Sequence, residues 1–197
     1  MSKVIVARPS GVLVLPCVVL GIDPGATSGW AIMAPGTADV RLLGSGQCRG
    51  ASRDAVDSAQ TWAEMLELPL VAVGERWSSA MRMRGGARTS GFTQQGLGAS
   101  WGRWQQLLED AGQPKSKPLR VDLMTWRMGI FGGRFRRKSE VWKSLAVARA
   151  GTFIEGREPG TDEAEAICIA EFCMRWDKVR AVLGKRHLRE HGFEVAS

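Results

Sequence analysis

The chain has 197 residues, 44% of them hydrophobic and 24% charged, with a formal net charge of +7. Such a length and composition suit one globular domain with a sizeable core, and argue against a low-complexity or disulfide-built chain. The charge is uneven: residues 76–138 hold thirteen Lys and Arg against three acids, a net +10, which leaves the remainder at −3. That asymmetry suits a surface facing a polyanion, nucleic acid above all, beside an acidic site.

At the start, Lys3 and Arg8 followed by "GVLVLPCVVLGI" mimic the charged and apolar parts of a secretory signal. The apolar run leads into Asp23-Pro24-Gly25 instead of a small-residue cleavage site, and it is too short to span a bilayer. Residues 1–16 therefore read as an N-terminal extension of a soluble protein. Cys17, Cys48, Cys168 and Cys173 form no CxxC pair, and they read as buried thiols of a reducing cytoplasm.

Residues 17–22 form an apolar run ended by turn residues, the pattern of a buried strand. "GWAIMA" and "VRLLGSGQCRG" read as the next two strands, with "PGTAD" as the turn, so the fold begins as an antiparallel meander. In "DAVDSAQTWAEMLEL", Val56, Ala59, Ala63 and Leu66 recur at helical spacing behind a Ser52 cap. "LVAVGE" is a short buried strand that ends, like the first, in a lone carboxylate, Glu75.

Residues 76–96 carry Arg, Gly and Ser without an acid and read as a basic loop. "LGASWGRWQQLLEDAG" follows as a helix closed by Gly112, then "QPKSKP" as a linker and "LRVDLMTW" as a strand. "GGRFRRK" is a second basic loop, and "SEVWKSLAVARAG" is a helix. The last helix starts at Thr161, read as its N-cap, and runs through "DEAEAICIAEFCMRW"; residues 178–197 are a polar, basic tail. The domain is thus expected over residues 17–177, as α/β architecture with a mixed central sheet.

The acids suggest the chemistry. Asp23 and Glu75 each stand where a buried strand ends, and positions 162, 165, 169, 172 and 176 share a helical face that reads Asp, Glu, Ile, Phe, Trp. Carboxylates entering an apolar face need a metal or a base as partner. Hard oxygen ligands suit Mg²⁺ or Mn²⁺, and two such ions about 4 Å apart can position water and stabilise the leaving oxygen in phosphodiester cleavage. Each acid also has a plainer reading: Asp23 as a turn residue, Glu75 paired with Arg76, and Asp162 and Glu163 as helix-start acids favoured by the macrodipole.

"GIDPGATSGWAI", the strand-terminal Glu75 and "TDEAEAICIA" together resemble the RuvC family of Holliday-junction resolvases, whose fold is ribonuclease H-like. The resemblance runs from about residue 17 to 176 and is loose in the middle; the divergent middle and short length resemble phage-encoded members. It implies a homodimeric, structure-specific endonuclease for four-way DNA junctions that uses two Mg²⁺ ions per site, with Mn²⁺ as a substitute, and no nucleotide cofactor. Asp23, Glu75, Asp162 and Glu165 take the metal-binding and catalytic positions. The fourth is Glu where many relatives have Asp, with Glu163 as an available substitute. "TWRMGIFGGRFRRK" resembles the family's basic stretch and sets Arg127 and a catalytic Lys138 near the scissile phosphate.

Phosphate contacts are expected from Arg76, Arg82, Arg84, Arg88, Arg127, Arg134, Arg136, Arg137 and Lys138. Trp101 and Trp104 are either base-stacking platforms or, at helical spacing among leucines, core or dimer interface. Three rivals share parts of the pattern: an ATP-binding domain of the actin and sugar-kinase type, a nuclease for flaps, forks or RNA, and a catalytically silent DNA-binding protein. The passage from Arg76 to Leu97 departs from bacterial relatives, which leaves junction, fork and flap substrates open.

Overall fold

The computed structural model describes residues 17–37, 39–76, 91–112, 118–132 and 139–175, with the backbone alone over 91–95. Five strands form one sheet in the order β3-β2-β1-β4-β5. They are β1 (Val18–Asp23), β2 (Thr27–Pro35), β3 (Val40–Arg49), β4 (Leu70–Arg76) and β5 (Leu119–Asp122). The first three pair antiparallel, as the sequence suggests, while β4 lies parallel to β1 and β5 parallel to β4.

Five helices accompany them: α1 (Arg53–Met65), α2 (Gly91–Asp110), α3 (Leu123–Phe131), α4 (Ser139–Ala150) and α5 (Thr161–Met174). Strand side chains alternate between two faces, so the sheet sorts the core into two halves. Val19, Ala31, Met33, Val71, Val73 and Val121 face α3, α4 and α5, whereas Val18, Leu20, Ile22, Ile32, Leu70 and Ala72 face α1 and α2. A sheet covered on both sides explains why β1 and β4 read as unbroken apolar runs.

Two glycines let α5 lie almost on the sheet. A Cβ on Gly21 would stand 2.5 Å from the Ala166 carbonyl oxygen, and one on Gly29 would stand 1.8 Å from that of Asp162. The helix accordingly presents the small residues Ala166 and Ala170 where it crosses β1. It is buried nearly all round, so the single apolar stripe expected for it is one part of a wider buried surface.

Several boundaries differ from the sequence reading; the first helix, for one, ends at Met65 and not at Leu68. The fifth strand stops at Asp122 and the rest of "LRVDLMTW" turns directly into α3. Leu123, Trp126 and Ile130 pack on the same core half, which is helical spacing. Helix α2 begins at Gly91 and so takes over the end of the expected basic loop. Gly160 is the N-cap of α5, with Thr161 as the first helical residue and no side-chain cap bond. The Ser52 cap is present: its side chain accepts from the Ala55 amide. Gly112 closes its helix at φ +73°.

Candidate active site

The site is assembled by register. Ile22 pairs with Gly74 in the parallel ladder, so the next residues, Asp23 and Glu75, emerge side by side at the same sheet edge. By alternation both point to the α5 face. Asp23 pairs across the antiparallel ladder with Gly29, and the Asp162 backbone rests on that glycine. Thus the missing side chain at position 29 sets the start of α5 against the end of β1. Asp162 and Glu165, three residues apart on α5, share the side that faces the strand ends.

The charges act on one another. Burial raises the Asp23 carboxyl well above its ordinary value, and Glu75, Glu165 and Asp162 push it further up, with Arg127 opposing them. Burial likewise pushes Glu75 up to about 7, against the N–H that Trp126 donates to it and with the Glu165 charge adding to the rise. The Trp126 Nε1 to Glu75 Oε2 distance is 3.2 Å. Glu165 is ion-paired with the buried Arg127. Helix α3 therefore delivers two consecutive side chains, Trp126 and Arg127, to two different acids.

Four mutually repelling hard-oxygen donors have the chemistry of a divalent-cation site. Among the described residues, no three ligand side chains are drawn together tightly enough to enclose an ion, and Glu165 is engaged by a guanidinium instead. The donor set fits a metal in its chemistry, with Glu165 held by Arg127.

Glu163 is committed elsewhere. It accepts from Ser45 Oγ at 2.6 Å and from Arg157 Nη1 at 2.8 Å. Burial opposes its ionisation, and the bonds from Arg157 and Ser45 outweigh that, holding the carboxyl below its ordinary value. Of the two candidates for the fourth acid, Glu165 is the one directed at the cluster.

No protein-family model matches the sequence, and no curated protein matches it significantly. Solved structures do match. Thermus thermophilus RuvC in complex with Holliday junction substrate superposes with a TM-score of 0.54 at 20% identity, over 83% of this chain and 96% of that one. A further Thermus thermophilus RuvC structure gives 0.51 at 18% identity, over 82% and 96%. This chain has the RuvC fold.

On this RuvC scaffold the other expected residues fall unevenly. Arg76 is exposed and lies on the face of β4 opposite Glu75. There it neighbours Arg120, whose guanidinium sits 4.7 Å from the Trp101 ring centroid; burial first, and Arg76 second, disfavour the Arg120 charge. Arg127 is 7% exposed and faces Glu165, so it does not stand at the surface. Arg82, Arg84, Arg88, Arg134, Arg136, Arg137 and Lys138 lie outside the described residues, as do the N-terminal extension and the basic tail.

Trp101 and Trp104 belong to the core. Both are buried, and the Trp101 ring covers Gly74 so closely that a Cβ there would meet it at 2.0 Å. Neither is a stacking platform. The four cysteines are free, three of them buried, and among the described residues no helix is long and apolar enough to cross a membrane.

Sequence reasoning missed Trp126, Arg157 and Ser45 as partners of the acids. It also missed Glu171, buried and paired with both Arg149 and Arg175. For Trp126 a signal was present, in the helical spacing of Leu123, Trp126 and Ile130.

A pH effect follows from Glu75. The unfolded chain loses this proton near 4.5 and the folded chain near 7. Stability in chelator should therefore fall as pH rises from about 4.5 to 7 and stay lower above it. Glu75→Gln retains an acceptor for Trp126 and removes the charge. It should flatten this fall and stabilise the metal-free protein by about 1–3 kcal/mol at pH 8. Urea midpoints of both proteins across pH 4–9 in EDTA measure it; parallel profiles would contradict the burial argument.

Proposed function

We propose that this protein is a divalent-metal-dependent endonuclease that nicks branched DNA, resolving Holliday junctions by paired symmetric cuts as a homodimer. The observation that carries the reading is the convergence of Asp23, Glu75, Asp162 and Glu165 at one edge of a RuvC-fold sheet. An acid cluster at a strand edge repels DNA unless cations intervene, so the cluster and a polyanionic substrate are compatible only through metal.

These four residues would hold Mg²⁺ or Mn²⁺, two ions per site. Bound there, the ions supply a lowered pKa for attacking water and charge stabilisation for the leaving oxygen. The chain's own residues do the rest. Asp23 and Glu75 are fixed by strand backbone, Glu75 is further held by Trp126, and the sequence between 76 and 138 concentrates positive charge for the phosphates. Lys138 and the loop arginines act there by neutralising phosphate charge. A dimer follows from the substrate's symmetry, since a two-fold junction takes two matched nicks from a two-fold enzyme. Residues 17–177 form the nuclease domain, and its place of action is the cytoplasm.

The test is cleavage of end-labelled four-way junction, replication fork, flap and linear duplex in Mg²⁺, Mn²⁺ and EDTA. Paired cuts symmetric about the crossover, in the junction alone and only with metal, are expected. Equal cutting of forks and flaps would make it a broader branched-DNA nuclease, and tight binding without cutting would make it a silent binding protein.

A further inference from the structure

Among the described residues, Arg127 stands near the acids in a placement that the proposed reaction leaves unexplained. It is buried, lies with its guanidinium 5.2 Å from the Trp126 ring centroid, and pairs with Glu165 through Nη2. Its Nε is also buried and has no hydrogen-bond partner among the described residues. A guanidinium offers five donors in a rigid fork, and a buried one is normally satisfied along a whole edge. Here it is held at one nitrogen and left wanting at another, which is a costly way to bury a charge if its only task is structural.

The neighbourhood supplies a different task. Four carboxylates at one half-buried sheet edge cannot all stay ionised without a compensating positive charge, and among the described residues Arg127 is a cation placed among them. Its partner Glu165 is also one of the acids that act on Asp23 and would hold the ion.

We propose that Arg127 is the counter-cation of the acid site and competes with the divalent ion for Glu165. This rests on the reading of the acids as a metal site. The guanidinium and a metal ion cannot both occupy the same side of one carboxylate, because two cations in a poorly solvated space repel strongly. Metal uptake therefore displaces the guanidinium, and the unpartnered Nε makes that displacement easier than for a fully bonded arginine. The protein gains a folded, neutralised site before metal arrives, at the expense of some metal affinity.

Mn²⁺ titration without DNA tests this, by calorimetry and by the loss of the free-ion EPR signal, on wild type, Arg127→Gln, Arg127→Lys and Thr125→Ala. Arg127→Gln should bind Mn²⁺ about tenfold tighter than wild type, equivalent to about 1.4 kcal/mol. Its melting temperature should be lower than wild type in EDTA and rise further on saturation with Mn²⁺. Arg127→Lys keeps the charge with a shorter reach and should fall between the two, which preserves the test if the glutamine variant does not fold. Thr125→Ala alters an exposed position of the same helix without removing the cation and should not tighten binding. Equal or weaker Mn²⁺ affinity in both Arg127 variants, with wild type binding normally, would overturn the competition and leave the metal site standing. No binding by any of the four proteins would overturn both.

Discussion

Asp23→Asn should abolish junction cleavage, lowering its rate about 10³-fold or more, while junction binding stays equal or becomes tighter. The magnitude is what several kcal/mol of lost metal-ion stabilisation amounts to. The substitution keeps shape and removes one negative charge from the edge that phosphate must approach, so affinity should not suffer. Folding should be preserved or improved, because burial and three neighbouring carboxylates already disfavour the Asp23 charge. Gel-shift affinity and single-turnover cleavage, measured together, separate the two effects. Joint loss of binding and cleavage, in a protein that melts normally, would mean that Asp23 is not a purely catalytic residue.

Gly29→Ala should be the most damaging single methyl among the described glycines. The added Cβ would stand 1.8 Å from the Asp162 carbonyl oxygen and 2.7 Å from the Glu163 amide nitrogen, both backbone atoms of α5. No rotamer change relieves such a contact, so α5 must lift from β2 or the strand must bend. A cost of about 3 kcal/mol is expected, at the upper end for overpacking. It should fall on function as well as stability, because the displaced turn is the one that carries Asp162. The denaturant midpoint and Mn²⁺ affinity of the variant should both drop. A variant with wild-type stability and metal binding would show that α5 does not dock on Gly29.

The parts of this arrangement that were legible in the sequence are those written in local pattern. Asp23 and Glu75 stand out because a charge ends an apolar run, and the sheet makes that position a shared edge. The three-strand meander was legible because turn residues separate the strands. α3 was not, because Asp122 leads from β5 into the helix with no Gly or Pro between them, and the four-residue strand was read as continuing through Trp126. The partners of the acids were illegible for another reason: Arg127 is 38 residues from Glu165, and Arg149 is 22 from Glu171. Only the packing of α3 and α4 on α5 brings such pairs together. The stripe on α5 was read from its apolar residues, whereas the face against the sheet is marked by alanines opposite glycines, a pattern that carries no hydrophobic-moment signal.

What matters most is whether the sheet-edge acids bind metal at all. Mn²⁺ titration of wild type beside Asp23→Asn and Glu75→Gln, at pH 8 so that Glu75 is ionised, addresses it without DNA and without turnover. Saturable binding by wild type that is lost in both variants is the expected result. Identical titrations of the three folded proteins, whether all bind or none does, would contradict a metal site built from Asp23 and Glu75.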